Sequence, residues 1–259
     1  MKKSTRYWRR LGSLGLALAS CLAGCTAPPP APPTASSSPI PSQTVAAKAT
    51  ATIAEIQQQP VTVRQLNAQQ EIAAKVGMAL QAGETIRTQN KARAQIELEN
   101  GLAFRIGGDA VLTLQPSNQL KLQSGEMITW VEPGQKVPTE IVTPTAIAGI
   151  RGTTVFVKIP PKNSTEGTLF FAWEGTVSVR LPNQKEEILL KTGEEVRIRP
   201  GERNIQKIRQ RVYRLKPAEW RAKIRQDKLL RGFDRRLPTL DIIEKIRPGE
   251  ATLKQPTSP

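Results

Sequence analysis

Few residues in this sequence can do chemistry. The 259-residue chain has no histidine and two cysteines, Cys21 and Cys25. Serine–histidine and cysteine–histidine catalysis are therefore excluded, as is any His-ligated metal. Two cysteines build neither a Cys-rich zinc site nor a disulfide framework. No pair of carboxylates has a spacing that singles it out for acid–base work. No catalytic residue, metal or cofactor is expected. Cys25 is the exception, because of what precedes it. Lys2, Lys3, Arg6, Arg9 and Arg10 form a basic start, followed by an apolar run from Leu11 to Ala23. That run is too short to cross a bilayer of about 30 Å as a helix and has the form of an export signal. Cleavage at the small residues before Cys25 would leave a cysteine at the new N-terminus, where its thiol can accept a lipid.

Leu22-Ala23-Gly24-Cys25 resembles the lipobox of bacterial lipoproteins. The resemblance implies that residues 1–24 are a signal peptide and that Cys25 carries a lipid anchor facing the periplasm. Thr26 rather than Asp follows the cysteine, which by the same resemblance favours the outer membrane. Residues 25–49 are rich in Pro, Ala, Ser and Thr, with seven prolines between Pro28 and Pro41. Such a composition buries little apolar surface and favours extended conformations, so a tether is expected.

Residues 50–200 must position whatever follows the tether. They hold short runs of period-two alternation, such as Ala92–Leu98 and Thr176–Leu181, separated by turn chemistry. Asn100-Gly101, Gly107-Gly108-Asp109, Gly125, Pro133-Gly134 and Glu174-Gly175 mark those turns. A mainly β fold is expected, a β-sandwich or a solenoid-like domain, followed by a C-terminal α-helical extension. Ala68–Ala79 is the one stretch of this region suited to a short helix. Trp130 and Trp173 are expected in the core or on a packed sheet face.

Several segments of this region resemble one family in order. Val76–Thr88 is similar to its G-x-x-L-x-x-G-D-x-I-x-T opening, and Ala92–Gly101 to its following hairpin. Thr143–Val157, with Gly149, Arg151, Gly152 and Thr153, resembles its distinctive Arg-Gly-Thr segment. Glu174–Val179 and Thr192–Val196 resemble its closing strands. The family is the FecR-type periplasmic domain. The resemblance implies a non-catalytic, extracytoplasmic β module, which in its best-known members relays iron-transport signals to a sigma factor. This chain starts with a lipoprotein-type signal instead of an anti-sigma segment and membrane helix. Direct control of a cytoplasmic sigma factor is therefore not expected. In the Arg-Gly-Thr segment the glycines permit a tight turn or bulge. Arg151 there either fixes that turn through neighbouring carbonyls or stands exposed to a partner.

The net charge of +16 is concentrated. Residues 50–196 hold 14 Lys+Arg against 15 Asp+Glu, whereas residues 197–247 hold 17 against 6. Ile205, Ile208, Val212 and Leu215 follow helical spacing beside basic positions. Pro217 suits the start of a second helix, and Pro238 its end. Residues 201–247 are thus expected to be a basic helical region, and 248–259 a disordered tail. Arg209, Arg211, Arg214, Arg221 and Arg225 are candidate anion-binding residues, for anionic lipid or cell-wall polymer. The same apolar stripes would equally serve to pack the region on the β domain. An envelope protein partner is a further expectation. Nucleic acid is not, since no nucleic-acid fold motif is present.

Overall fold

The computed structural model describes residues 51–248. The signal peptide, the Leu22–Cys25 motif, the tether and all but the first residue of the C-terminal tail lie outside the described residues. The strands are β1 (Ala51–Gln57), β2 (Val61–Arg64), β3 (Ile72–Ala73), β4 (Ala79–Leu80), β5 (Thr85–Thr88), β6 (Arg93–Leu98), β7 (Leu102–Gln115) and β8 (Gln119–Val131). They continue with β9 (Thr139–Val142), β10 (Ile147–Ile150), β11 (Thr154–Ile159), β12 (Thr168–Glu174), β13 (Thr176–Arg180), β14 (Glu187–Lys191) and β15 (Glu194–Ile198). The C-terminal region adds α1 (Ile205–Arg209), β16 (Tyr213–Arg214), α2 (Pro217–Gln226), α3 (Lys228–Arg231) and α4 (Leu240–Lys245). Among the described residues, no helix is long and apolar enough to cross a membrane.

One continuous sheet is folded over along a crease in its two longest strands. Strands β7 and β8, of 14 and 13 residues, pair with each other on both sides of the crease. The start of β7 pairs with β6 and its end with β5. The start of β8 pairs with β9 in parallel, and its end with β11 antiparallel. One half of the sheet therefore runs β4-β1-β6-β7-β8-β11-β12-β15-β16, and the other β3-β2-β5-β7-β8-β9-β10-β13-β14. Gly107-Gly108-Asp109 and Gly125 are bends within these strands, not the turns between shorter strands that sequence spacing suggested. The register shifts between Gly107 and Val111, as a bulge requires. Gly125 has φ +79°, and a Cβ there would lie 2.4 Å from the Ala110 Cα, so glycine is required.

The two halves face each other across a shared core. Leu112, Leu114, Leu120 and Leu122 of one half join Phe104, Ile106, Met127 and Phe170 of the other in one apolar cluster. The first half is buried on its outer face as well. In β12, Phe170 and Ala172 point into this core, whereas Leu169, Phe171 and Trp173 form a second core with Ile128, Trp130 and Phe156. Burial on both faces explains why Leu169–Trp173 is an unbroken apolar run, and Trp130 and Trp173 are core residues as expected.

The C-terminal region covers that second face. Trp220 and Ile224 of α2, Leu229 and Leu230 of α3, and Leu240 and Ile243 of α4 complete the outer core. Helix α1 instead inserts Ile205 and Ile208 into the first core beside β14 and β15. The basic region is a third layer of the fold.

Local helix expectations need three corrections. Residues 68–79 form no helix, because the sheet claims their backbone: Ile53 N–H donates to the Met78 carbonyl at 3.0 Å, and Gly77 N–H to that of Ile53 at 2.8 Å. The stripe from Ile205 to Leu215 is not one helix. It stops at Arg209, and Tyr213–Arg214 pairs with β15, with Leu215 N–H donating to the Gly193 carbonyl at 2.9 Å. The helix that starts at Pro217 breaks at Asp227, whose side chain caps α3 by accepting from the Leu229 and Leu230 amides. A further helix, α4, follows Pro238.

Candidate functional site

Arg105 joins the third layer to the sheet. It lies on the outer face of β7 and is fully buried. Its Nε donates to Gln95 Oε1 at 2.8 Å, and its Nη1 to the carbonyls of Leu229 and Leu230 at 2.9 and 3.1 Å. Its Nη2 donates to the Arg235 carbonyl. The guanidinium lies over the rings of Phe233 at 4.3 Å and Trp130 at 5.4 Å. A planar five-donor fork suits this fan of acceptors, and the carbonyls at the end of α3 favour a cation. Burial lowers the Arg105 pKa to about 10, opposed by the charges of Glu55, Asp227 and Glu97. It remains a cation at neutral pH.

Glu55 of β1 holds the same loop from below. Its carboxylate accepts from the Asp234 amide at 2.7 Å and the Arg235 amide at 3.1 Å. Burial alone would raise its pKa. Hydrogen bonds from Gln57, Asp234 and Arg235, with the charge of Arg105, bring it below the ordinary value. On α2, Lys223 reaches across the outer face, its Nζ 4.7 Å from the Phe171 ring and 5.1 Å from that of Phe156. Burial lowers the Lys223 pKa, with Glu195 and Asp227 opposing it. Sequence reasoning missed Arg105, Glu55 and Lys223. The available signal was a lone arginine inside the apolar run Leu102–Ile106.

The candidate anion-binding arginines do not form one group. Arg209 pairs with Glu186 at 3.0 Å, Arg211 with Glu202 at 2.8 Å and Arg214 with Glu194 at 2.7 Å. These three tie the arm to nearby carboxylates. Arg221 and Arg225, one turn apart on α2, are exposed and make no ion pair among the described residues. Trp220 and Ile224 on the opposite side of the helix are buried.

The Arg-Gly-Thr segment is divided between a strand and a bend. Gly149 lies in β10, paired with both β9 and β13, and not in the turn. A Cβ on it would meet the Ser178 hydroxyl at 2.7 Å, so the serine side chain occupies the space that the glycine leaves. The bend falls at Arg151 and Gly152, the latter with φ +69°. Thr153 is buried. Arg151 is exposed, and its guanidinium makes no hydrogen bond among the described residues, so the carbonyl-fixing role considered for it is not seen.

Residues 84–178, from β5 to the middle of β13 and including the crease and the Arg-Gly-Thr bend, match the family model described as FecR protein. Over these residues the chain is similar to FecR proteins. The match is narrower than the 50–200 that the motifs suggested. Strands β1–β4 and β14–β16 extend both halves of the FecR sheet outside it. No curated protein matches the chain. Two crystal structures of a candidate anti-sigma factor from Parabacteroides distasonis, at 1.65 and 2.50 Å resolution, are similar at 18% identity. Each has a TM-score of 0.39 and covers 46% of this chain, the match spanning 57% and 56% of theirs. The chain thus spans little more than half of the length of those relatives.

Proposed function

We propose that this protein is a lipid-anchored cell-envelope module that binds a protein partner without catalysis, in a scaffold or sensory role. The match of residues 84–178 to the FecR family carries this reading. In it, residues 1–24 are removed, Cys25 bears the lipid, and residues 25–49 hold the domain off the membrane. The periplasmic face of the outer membrane is the proposed location. The bend at Arg151 and Gly152 is an exposed part of the family segment open to a partner. The test is twofold. Cys25→Ala should move the protein out of the membrane fraction and abolish fatty-acid labelling. Unchanged fractionation, with no label on the native protein, would overturn the anchored reading.

A second reading concerns the outer face of α2. Arg221 and Arg225 project from the covered core and lack carboxylate partners among the described residues. They support an electrostatic contact with anionic lipid or cell-wall polymer, which would reinforce a single lipid chain.

A further inference from the structure

The crease leaves a gap in the sheet. Strand β9 pairs with β8 only as far as Lys121, and β11 begins its pairing at Gly125. Both lie on the same side of β8, opposite β7. Residues 122–124 therefore have a strand neighbour on the β7 side alone. Strand alternation directs peptide groups of this stretch into the opening between β9 and β11. A cavity of about 530 Å³ opens there, lined by Gln123 and Ser124 of β8, by Pro144 and Thr145 just after β9, and by Lys158 and Ile159 at the end of β11; its size is within the range of about 300–1,000 Å³ usual for ligand sites.

Its walls are rigid and apolar. Pro144, Pro160, Pro161 and Pro200 line it and donate no backbone N–H, and the hydrogen-bonding groups come from the β8 edge and from side chains such as Gln123, Thr145, Ser164 and Thr168. Most charges at its rim are already engaged. Asp109 accepts from the Asn90 amide at 2.6 Å, and Glu126 pairs with Lys158 at 3.5 Å. Lys162 is exposed at the rim and makes no ion pair among the described residues.

We propose that the wedge between β9 and β11 is a docking site for an extended peptide segment bearing a carboxylate. An extended chain offers donors and acceptors at strand spacing to the edge of β8 that lines the cavity at Gln123 and Ser124, over about 7 Å for two residues. Apolar side chains of the segment meet the prolines, and its carboxylate meets Lys162. The proposal rests on the protein-binding reading above and names the surface that does the binding.

The test uses the full chain carrying Cys25→Ala and an acetylated Val-Thr-Val-Thr-Asp peptide, followed by amide NMR shifts. Saturable shifts are expected at residues 122–124, at Thr145, at Lys158 and Ile159, and at residues 162–164. Lys162→Glu should weaken binding about fivefold, the scale of a partly exposed ion pair. Methylating one backbone nitrogen of the peptide should also cost about fivefold, the scale of one net hydrogen bond. That change leaves the protein unaltered, so it holds whatever the variant does to folding. Absence of saturable shifts, shifts confined to another face, or equal binding of the methylated peptide would overturn the proposal. If these fail while an envelope protein is still crosslinked to another face in cells, the wedge is wrong and the wider reading stands.

Discussion

The Arg105 guanidinium, on a central strand of the segment that matches the FecR family, donates to the Leu229 carbonyl at 2.9 Å, 124 residues further along the chain. This bond and its neighbours make the basic C-terminal region part of the fold. The cationic segment and the near-neutral β domain share one outer core, so the charge of residues 201–247 is carried on a packed layer of the fold.

Arg105→Leu removes four hydrogen bonds and leaves the Leu229, Leu230 and Arg235 carbonyls without this donor. The expected loss is roughly 3 kcal/mol or more of unfolding free energy, measured by urea titration. Arg105→Lys should fall between, since an ammonium keeps the charge but cannot fan across the same acceptors. A loss below about 1 kcal/mol for Arg105→Leu would contradict the role given to it.

Stability should fall at acid pH through Glu55. Its pKa is lowered in the folded state, so its contribution is full above the ordinary value of 4.5 and is lost as pH falls through the lowered one. Glu55→Gln should lower stability at neutral pH and flatten the acid limb of the stability curve. Asp227 acts in the opposite sense, since burial raises its pKa. Its cost is present at neutral pH and relieved on acidification. Denaturation at stepped pH separates the two, and an acid limb unchanged by Glu55→Gln would refute the assignment.

Ending the chain at residue 200 strips the cover from Trp130, Phe156, Phe171 and Trp173. Exposed apolar surface of that kind should give strong dye binding and aggregation. A truncated domain that is monomeric and melts cooperatively at the full-length temperature would show that the third layer is dispensable.

These relationships were only partly legible in the residues. Alternation in Ala92–Leu98 correctly places Ala94, Ile96 and Leu98 in the core. It also suggests that the opposite face is solvated, yet Gln95 is buried there as the partner of Arg105. Polarity alone cannot distinguish water from a buried arginine. Gly107-Gly108-Asp109 carries turn chemistry, and the local conformation has it, but β7 continues through the bend because β8 remains paired on both sides. The stripe Ile205–Leu215 has helical spacing, but its residues serve two different cores: Ile205 and Ile208 in one, Leu215 in the other. The packing of the arm was one of two readings that its apolar stripes allowed. The division of its arginines into paired and unpaired depends on carboxylates distant in sequence, such as Glu186 and Glu194.

That division gives a cleaner test of surface binding than deleting the arm. Arg221→Glu with Arg225→Glu should abolish salt-sensitive sedimentation with vesicles containing phosphatidylglycerol, leaving thermal stability within about 0.5 kcal/mol. Reversing Arg209, which is paired, should affect sedimentation less. Equal sedimentation of the wild type and the double variant would remove α2 as the contact.

Protein binding in the envelope by the FecR-like segment is open to direct capture. Crosslinking in living cells from a photoreactive residue at position 123 or 151 tests it most directly. A discrete adduct with one envelope protein is expected, absent when the same residue stands at exposed position 225. Adducts with lipid or wall material alone, from every position, would contradict it.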